Sequence, residues 1–234
     1  MHNDDFPHEE IDKLGYKKII NGQKGHYGVA TFHKDNLLTS SIGFETDSED
    51  AQCRLITSKH LLNKKEVTII NGYFPQGDNR DHPVKFPYKE KFFKDLMLHL
   101  NNNFKKNENI IILGDLNISP EDIDIGIGED NRKRWLATGK CSFLPEEREW
   151  LQKIKDWGFK DSYRKFYPDS DDKYSWFDYR SRGFDDSPKR GLRIDHLWVT
   201  ESLLEMAKGA DIDYEIRGME KPSDHAPVWT EFNF

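Results

Sequence analysis

Between Asn109 and Gly114 the chain runs Ile110, Ile111, Ile112, Leu113 with no polar residue. In an extended strand successive side chains point to opposite faces, so this run has no face left for solvent. It predicts a buried central strand, and a fold with packed layers on both sides of it. Glu66–Phe74, rich in Val, Thr and Ile and halted by Pro75, predicts a second strand. Further strands are expected at Tyr27–His33, Cys53–Thr57, Tyr174–Tyr179, Ile194–Thr200, Ile212–Ile216 and Pro227–Phe232. Two stretches carry helical spacing instead. Pro87–Phe104 presents Phe92, Phe93, Leu96, Met97 and Leu100, and Glu147–Trp157 presents Trp150, Leu151, Ile154 and Trp157 ahead of Gly158. Gly22, Gly25 and Gly28 read as hairpin punctuation, because no Walker Lys-Ser pair follows them. Strands outnumber helices without strict alternation. That favours an α/β sandwich of two packed mixed sheets flanked by helices over a doubly wound fold. No repeat or domain boundary is visible, so residues 1–234 are expected to form a single domain.

Only 35% of the 234 residues are hydrophobic, and the mean hydropathy is −0.86. The 15 Phe, 9 Tyr and 6 Trp still supply enough apolar area for a sizeable core. A net charge of −7 argues against a basic coat but not against a local basic groove. Cys53 and Cys141 lie far apart in no metal-ligand spacing and read as free thiols of a reducing compartment. The apolar runs are too short to span a membrane, and the start at Met1 lacks the features of a signal peptide. The expectation is a soluble cytoplasmic protein with no membrane partner.

Three segments at strand ends bear chemistry: Gly114-Asp-Leu-Asn117, Arg193-Ile-Asp-His196 and Ser223-Asp-His225. Carboxylates beside an amide and an imidazole suit a hard divalent cation and attack on a phosphate ester. Asp115 and Asn117, two apart after a strand, can project from one edge, although Asp-x-Asn is also ordinary turn chemistry. Asp195 sits within an apolar strand, where a carboxylate is costly unless paired. His225 is the attractive partner, because alternation sends the neighbouring His196 to the opposite face. Asp224 precedes His225. Tyr73 ends its strand just before Pro75 and Gly77, placed to donate to a phosphate oxygen or, with a lowered pKa, to transfer a proton. A basic and aromatic group joins Asn131–Trp135 with Arg180, Arg182, Lys189, Arg190 and Arg193 around Trp176, Phe177 and Phe184. It suits a backbone-tracking groove with a stacking surface, or a solvated loop over a core tryptophan. Arg80 and Lys85 extend that positive strip.

In order along the chain, G-Q-K-G-H-Y-G-V-A, N-G-Y-F-P-Q-G, G-D-L-N-I-S-P, N-R-K-R-W-L-A-T-G-K-C-S-F-L-P-E-E-R-E-W, S-W-F-D-Y-R-S, G-L-R-I-D and M-E-K-P-S-D-H-A-P-V-W closely resemble the bacterial exonuclease III family of abasic endonucleases. That family lies within the endonuclease-exonuclease-phosphatase superfamily. The resemblance implies a four-layer, deoxyribonuclease-I-like α/β sandwich and a monomeric DNA-repair nuclease. It would act on double-stranded DNA with abasic sites or blocked 3′ ends, as 3′→5′ exonuclease, abasic-site endonuclease and 3′-phosphatase. The implied cofactor is Mg2+, with Mn2+ as a substitute. The implied catalytic residues are Tyr73, Asp115, Asn117, Asp195 and His225, with Asp115, Asn117, Asp224 and His225 on the metal side. Asp115 would orient or activate the attacking water, Asn117 would stabilise the pentacovalent phosphate, and Asp195 would hold His225. Trp176 would wall the pocket for a sugar lacking its base, and Arg54, Gln76, Lys85 and Arg180 would contact DNA. Family members open with an F-N-x-N-G strand and a strand ending L-Q-E-T-K, whose Glu is a principal metal ligand. Neither motif is in this sequence, and the expectation is that Met1 is an internal methionine of a longer enzyme. The loop around Ser187-Pro-Lys189 also looks longer than usual. The alternatives are a catalytically impaired DNA-binding fragment, or a phosphoesterase of the same fold acting on another substrate.

Overall fold

The computed structural model describes all 234 residues, Met1–Phe234. The strands are β1 (Lys17–Gly22), β2 (Gly28–His33), β3 (Asn36–Ile42), β4 (Leu55–Leu62), β5 (Lys65–Tyr73), β6 (Ile110–Asp115), β7 (Phe159–Asp161), β8 (Asp195–Thr200), β9 (Ala207–Ile212) and β10 (Val228–Phe232). The helices are α1 (His8–Lys13), α2 (Lys85–Asn103), α3 (Glu129–Thr138), α4 (Pro145–Trp157), α5 (Ser162–Phe166), α6 (Glu201–Met206) and α7 (Tyr214–Arg217). Six strands form one mixed sheet in the order β3-β4-β5-β6-β8-β7, in which only β5 and β6 run parallel.

The apolar run at Ile110–Leu113 is the middle of this sheet. Ile110 and Ile112 face a large core shared with Phe92, Leu96 and Leu100 of α2, Trp150, Leu151 and Ile154 of α4, and Trp198 of β8. Ile111 faces the other way, into a small cluster with Val67, Val199 and Leu203 on which Leu113 packs only partly buried. Two antiparallel ribbons, β1–β2 and β9–β10, lie on this second side and do not hydrogen-bond to each other. Asn21 of β1 donates to the Leu55 carbonyl (3.0 Å), Asn71 of β5 donates to the Ala30 carbonyl (3.0 Å), and Ser162 of α5 bonds Thr230 of β10. The architecture is thus the expected deoxyribonuclease-I-like α/β sandwich, with its second β layer present as two ribbons. No helix is long and apolar enough to cross a membrane.

Local chemistry explains where the elements differ from expectation. α2 starts at Lys85, so Pro87 lies in the first turn, where a missing N–H costs nothing. Pro145 opens α4, and Gly158 (φ 129°) ends it. Of the expected strand Ile212–Ile216 only Ile212 is in a strand: β9 runs before it, over Ala207–Ile212, and the Asp213 side chain then accepts from Ile216 N and caps α7. Tyr174–Tyr179 is not a strand; it makes only isolated bridges from Trp176 to Leu192 and His225. Strand β3 and helix α3 were not foreseen. β3 is exposed throughout and α3 packs only the adjacent Trp135 and Leu136, partly buried, so neither carries an apolar period.

Candidate active site

Sheet register brings the strand-end residues together. On the parallel pair β5–β6, Tyr73 stands opposite Asp115, and on the antiparallel pair β6–β8, Asp115 stands opposite Asp195. Gly114 permits the close approach of β5 and β6, since a Cβ there would lie 2.0 Å from the Gly72 carbonyl oxygen. The loop before β10 then docks by backbone bonds, Ala226 N to Ser175 O (2.7 Å) and Phe177 N to Asp224 O (2.9 Å). This carries His225 over the sheet end, where its Nδ1 lies 2.8 Å from Asp195 Oδ2. The ligand atoms of Asp115, Asp195 and His225 fall within 4.8 Å of one another.

The surroundings orient each group. Asp115 accepts from Asn117 N (2.9 Å) through one oxygen and from the Asn117 side-chain amide (2.8 Å) through the other. That amide also donates to the Phe74 carbonyl (3.0 Å). Asp-x-Asn is therefore a turn and a site component at once, with Asn117 at φ 54°. Because the amide hydrogens are committed to Asp115 and Phe74, Asn117 positions the carboxylate in this state and donates nothing outward. Lys89 Nζ, fully buried, donates to the Asn117 carbonyl (2.9 Å), to the Gln76 carbonyl (3.2 Å) and to Glu147 (2.6 Å). Asp224 accepts from Trp176 Nε1 (3.0 Å), so the Trp176 ring is fixed against the same loop.

The electrostatics set two facing carboxylates against a single imidazole. Burial and the facing Asp195 carboxylate push Asp115 up to about 7. Burial alone would lower His225, but the Asp195 hydrogen bond and the charges of Asp195, Asp115 and Asp224 raise it to about 9. Two carboxylates directly opposite on paired strands repel unless something positive lies between them. Hard oxygen donors held this close fit a divalent cation. Burial, then Asp115, raises the Tyr73 hydroxyl, so Tyr73 stays protonated and the idea of a lowered pKa is not supported.

The basic and aromatic residues sort into three places. Asn131, Arg134, Trp135, Trp176, Arg180 and Arg190 line one cavity of about 330 Å³ beside the cluster. Trp176 is the wall common to both. Arg193 is elsewhere: it is 1% exposed, with Nε 2.6 Å from Asp124 and Nη2 2.7 Å from Asp161. Burial opposes the charge on Asp161, but Arg193 wins and holds its carboxyl well below the usual range. This internal network braces the start of β8, two residues from Asp195. His196 belongs to it, with Nδ1 3.1 Å from Arg193 Nη1 and Nε2 3.1 Å from the Ile118 carbonyl.

Arg54 is also internal. Its guanidinium lies over the rings of Tyr27 (4.0 Å) and Tyr73 (4.8 Å) and donates to the Tyr73 carbonyl (2.9 Å), so it buttresses Tyr73. Gln76 is exposed and accepts from Asp78 N. Lys85 pairs with Asp78 (2.6 Å) and Arg80 with Glu146. Sequence reasoning missed Lys89, Asp124 and Asp161. Lys89 had a usable signal, since it lies on the apolar stripe of α2 at helical spacing from Phe92, Phe93 and Leu96.

A family model described as "Endonuclease/Exonuclease/phosphatase family" matches residues 2–225. The chain belongs to this family. Within it, the chain is 56% identical over 227 residues to exodeoxyribonuclease III of Haemophilus influenzae, covering 97% of this chain and 84% of that relative. Among solved structures it is similar to the 3′ phosphatase NExo from Neisseria bound to a product DNA hairpin, with TM-score 0.89 and 33% identity over 100% of this chain and 86% of that one. An AP endonuclease from Archaeoglobus fulgidus matches with TM-score 0.87 and 29% identity, again over 100% and 86%. The family's exonuclease III and AP-endonuclease branch is therefore the one that contains this chain.

Proposed function

We infer that this chain is a divalent-metal-dependent DNA-repair nuclease with the abasic-site endonuclease, 3′→5′ exonuclease and 3′-phosphatase activities of its family. The observation that carries the reading is the meeting of the register-paired Asp115 and Asp195 with His225, brought in on the loop before β10, at the end of the central sheet. The substrate is double-stranded DNA with an abasic site or a blocked 3′ end, the working cation is Mg2+, and the chain acts as a monomer.

Asp115 and Asp195, with Asn117 and Asp224 close by, would hold the cation. When bound, it would draw negative charge off the scissile phosphate and the departing oxygen. Asp115, fixed by Asn117, orients the attacking water and accepts its proton. His225, kept as an imidazolium by Asp195, meets the charge on the phosphate. A protonated imidazole cannot ligate a metal, so this role sets His225 apart from the carboxylates. The Tyr73 hydroxyl donates to a phosphate oxygen. The cavity behind Trp176 takes the sugar that has lost its base, and Arg134, Arg180 and Arg190 follow the phosphate backbone.

Incision of a duplex oligonucleotide with one abasic site tests the reading. Cleavage should require Mg2+, stop with EDTA, and fall by about 10²–10⁴ in Asp115→Asn, with melting behaviour retained. A variant as fast as wild type would overturn it. A DNA-binding protein without catalysis would bind duplex in a salt-sensitive way and cut at no Mg2+ concentration.

A further inference from the structure

A second group of ligand-type side chains lies at the other end of the sheet. His33 ends β2, Asp35 stands in the turn to β3, and His60 lies in β4. Their ligand atoms also fall within 4.8 Å of one another. One oxygen, Asp35 Oδ1, lies 2.7 Å from His60 Nδ1 and 3.1 Å from His33 Nδ1. The two imidazoles meet edge to face, 5.1 Å apart and inclined at 68°. His60 is fully buried and His33 nearly so, while the Asp35 side chain is 25% exposed. Strand register separates this group from the active site. His60 pairs with Val67, six residues before Tyr73 on β5, which at the strand rise is roughly 20 Å.

We propose that His33, Asp35 and His60 form a Zn2+-type metal site that ties the β1–β2 ribbon to the six-stranded sheet. Two imidazole nitrogens and one carboxylate oxygen are the borderline donors that suit Zn2+, not the all-oxygen set preferred by Mg2+. Metal–ligand bonds of about 2.0–2.2 Å place neighbouring ligand atoms of a tetrahedron roughly 3.3–3.5 Å apart. The 3.1 Å separation needs to open by a few tenths of an ångström to reach that, and the 2.7 Å separation by about 0.6–0.8 Å. Ser58 Oγ lies 2.9 Å from His60 Nε2, where it can accept the ring proton and leave Nδ1 with its lone pair turned inward. The exposed side of Asp35 leaves the fourth position to water. On binding, each imidazole presents an unprotonated Nδ1, and any proton displaced from it passes to solvent.

The competing account is a hydrogen-bonded triad in which both imidazoles donate N–H to Asp35, and it predicts no metal. The full chain, stripped of metal and then kept in excess Mg2+ to fill the carboxylate cluster, is titrated with Co2+ and separately with Zn2+. Wild type and Asp115→Asn should each retain one equivalent of Zn2+ after desalting. Their Co2+ forms should show the intense visible band of tetrahedral coordination, and Zn2+ should raise their melting temperature. His60→Asn and His33→Asn should lose all three effects. Should His60→Asn fail to fold, His33→Asn in the ribbon carries the comparison, and the wild-type Co2+ band decides alone if both fail. Retention of no more Zn2+ by wild type than by His33→Asn, a weak octahedral Co2+ band, or loss of the equivalent in Asp115→Asn would each overturn the proposal.

Discussion

Lys89 offers the sharpest test of how the active-site turn is held. Its ammonium and the Glu147 carboxylate are both fully buried. Besides that ion pair, Lys89 donates to the carbonyls of Asn117 and Gln76, while Glu147 accepts from Ser142 N and Leu144 N at 2.8 Å each. Lys89→Met keeps most of the stem's packing but leaves a bare buried carboxylate, a loss worth about 3–5 kcal/mol. Adding Glu147→Gln removes the stranded charge while its amide oxygen still accepts from the backbone. The double variant should therefore recover about half of the loss, leaving mainly the cost of two carbonyls that lose the Lys89 donor, about 1 kcal/mol each. Urea unfolding followed by tryptophan fluorescence reads both. With a slope of about 2–3 kcal/mol/M for a chain of this size, the single variant's midpoint should fall by about 1–2 M at unchanged slope. Abasic-site incision, measured well below the midpoint, should also slow, because the Asn117 carbonyl loses its anchor. A single-variant cost below about 1 kcal/mol, or a double variant as unstable as the single, would refute the reasoning.

Other outcomes follow from the same geometry. In metal-free protein the His225 imidazole should titrate near pH 9 by NMR, and Asp195→Asn should bring it down; a wild-type midpoint at or below 6.5 would contradict the pairing. Since the folded state raises this pKa, the pair's stabilisation is complete below about pH 6.5 and is lost as pH climbs through about 9. Melting in EDTA across that window should show the decline in wild type and not in Asp195→Asn. Gly114→Ala should abolish incision and lower the melting temperature sharply, because its methyl would overlap the Gly72 carbonyl; an active, stable variant would show that β5 and β6 can part. Arg180→Ala and Arg190→Ala should each reduce the salt slope of duplex binding by about one, whereas an unchanged slope would remove the cavity from the DNA path.

How much of this could be read from the residues varied with the kind of signal. Ile110–Leu113 announced a buried central strand because four apolar residues in a row leave no alternative. The Asp195–His225 pairing was legible too, since alternation turned His196 away. By contrast, β3 is exposed along its length, and α3 packs only Trp135 and Leu136, adjacent and partly buried, so no period betrayed them. Arg193 and Arg54 were placed among the DNA-facing cations because one sequence cannot tell a buried guanidinium from an exposed one. Their partners, Asp124, Asp161 and Tyr73, are 69, 32 and 19 positions away along the chain, and only folding brings them close. The His33–Asp35–His60 group escaped notice for the same reason.

The division of the second β layer into two ribbons bears on how the centre comes apart. Asp115 and Asp195 stand on neighbouring strands of the continuous sheet, whereas His225 arrives on the loop that leads into β10. The β9–β10 ribbon has no hydrogen-bonded strand beyond its own pair, so it can open as a unit while the sheet stays closed. Amide exchange in β10 should then be faster than in β6. Anything that bridges His225 to the carboxylates, whether a phosphate or a product, should slow it. The histidine and the carboxylates thus have separate local stabilities, and the assembled centre lasts only as long as the less stable of the two.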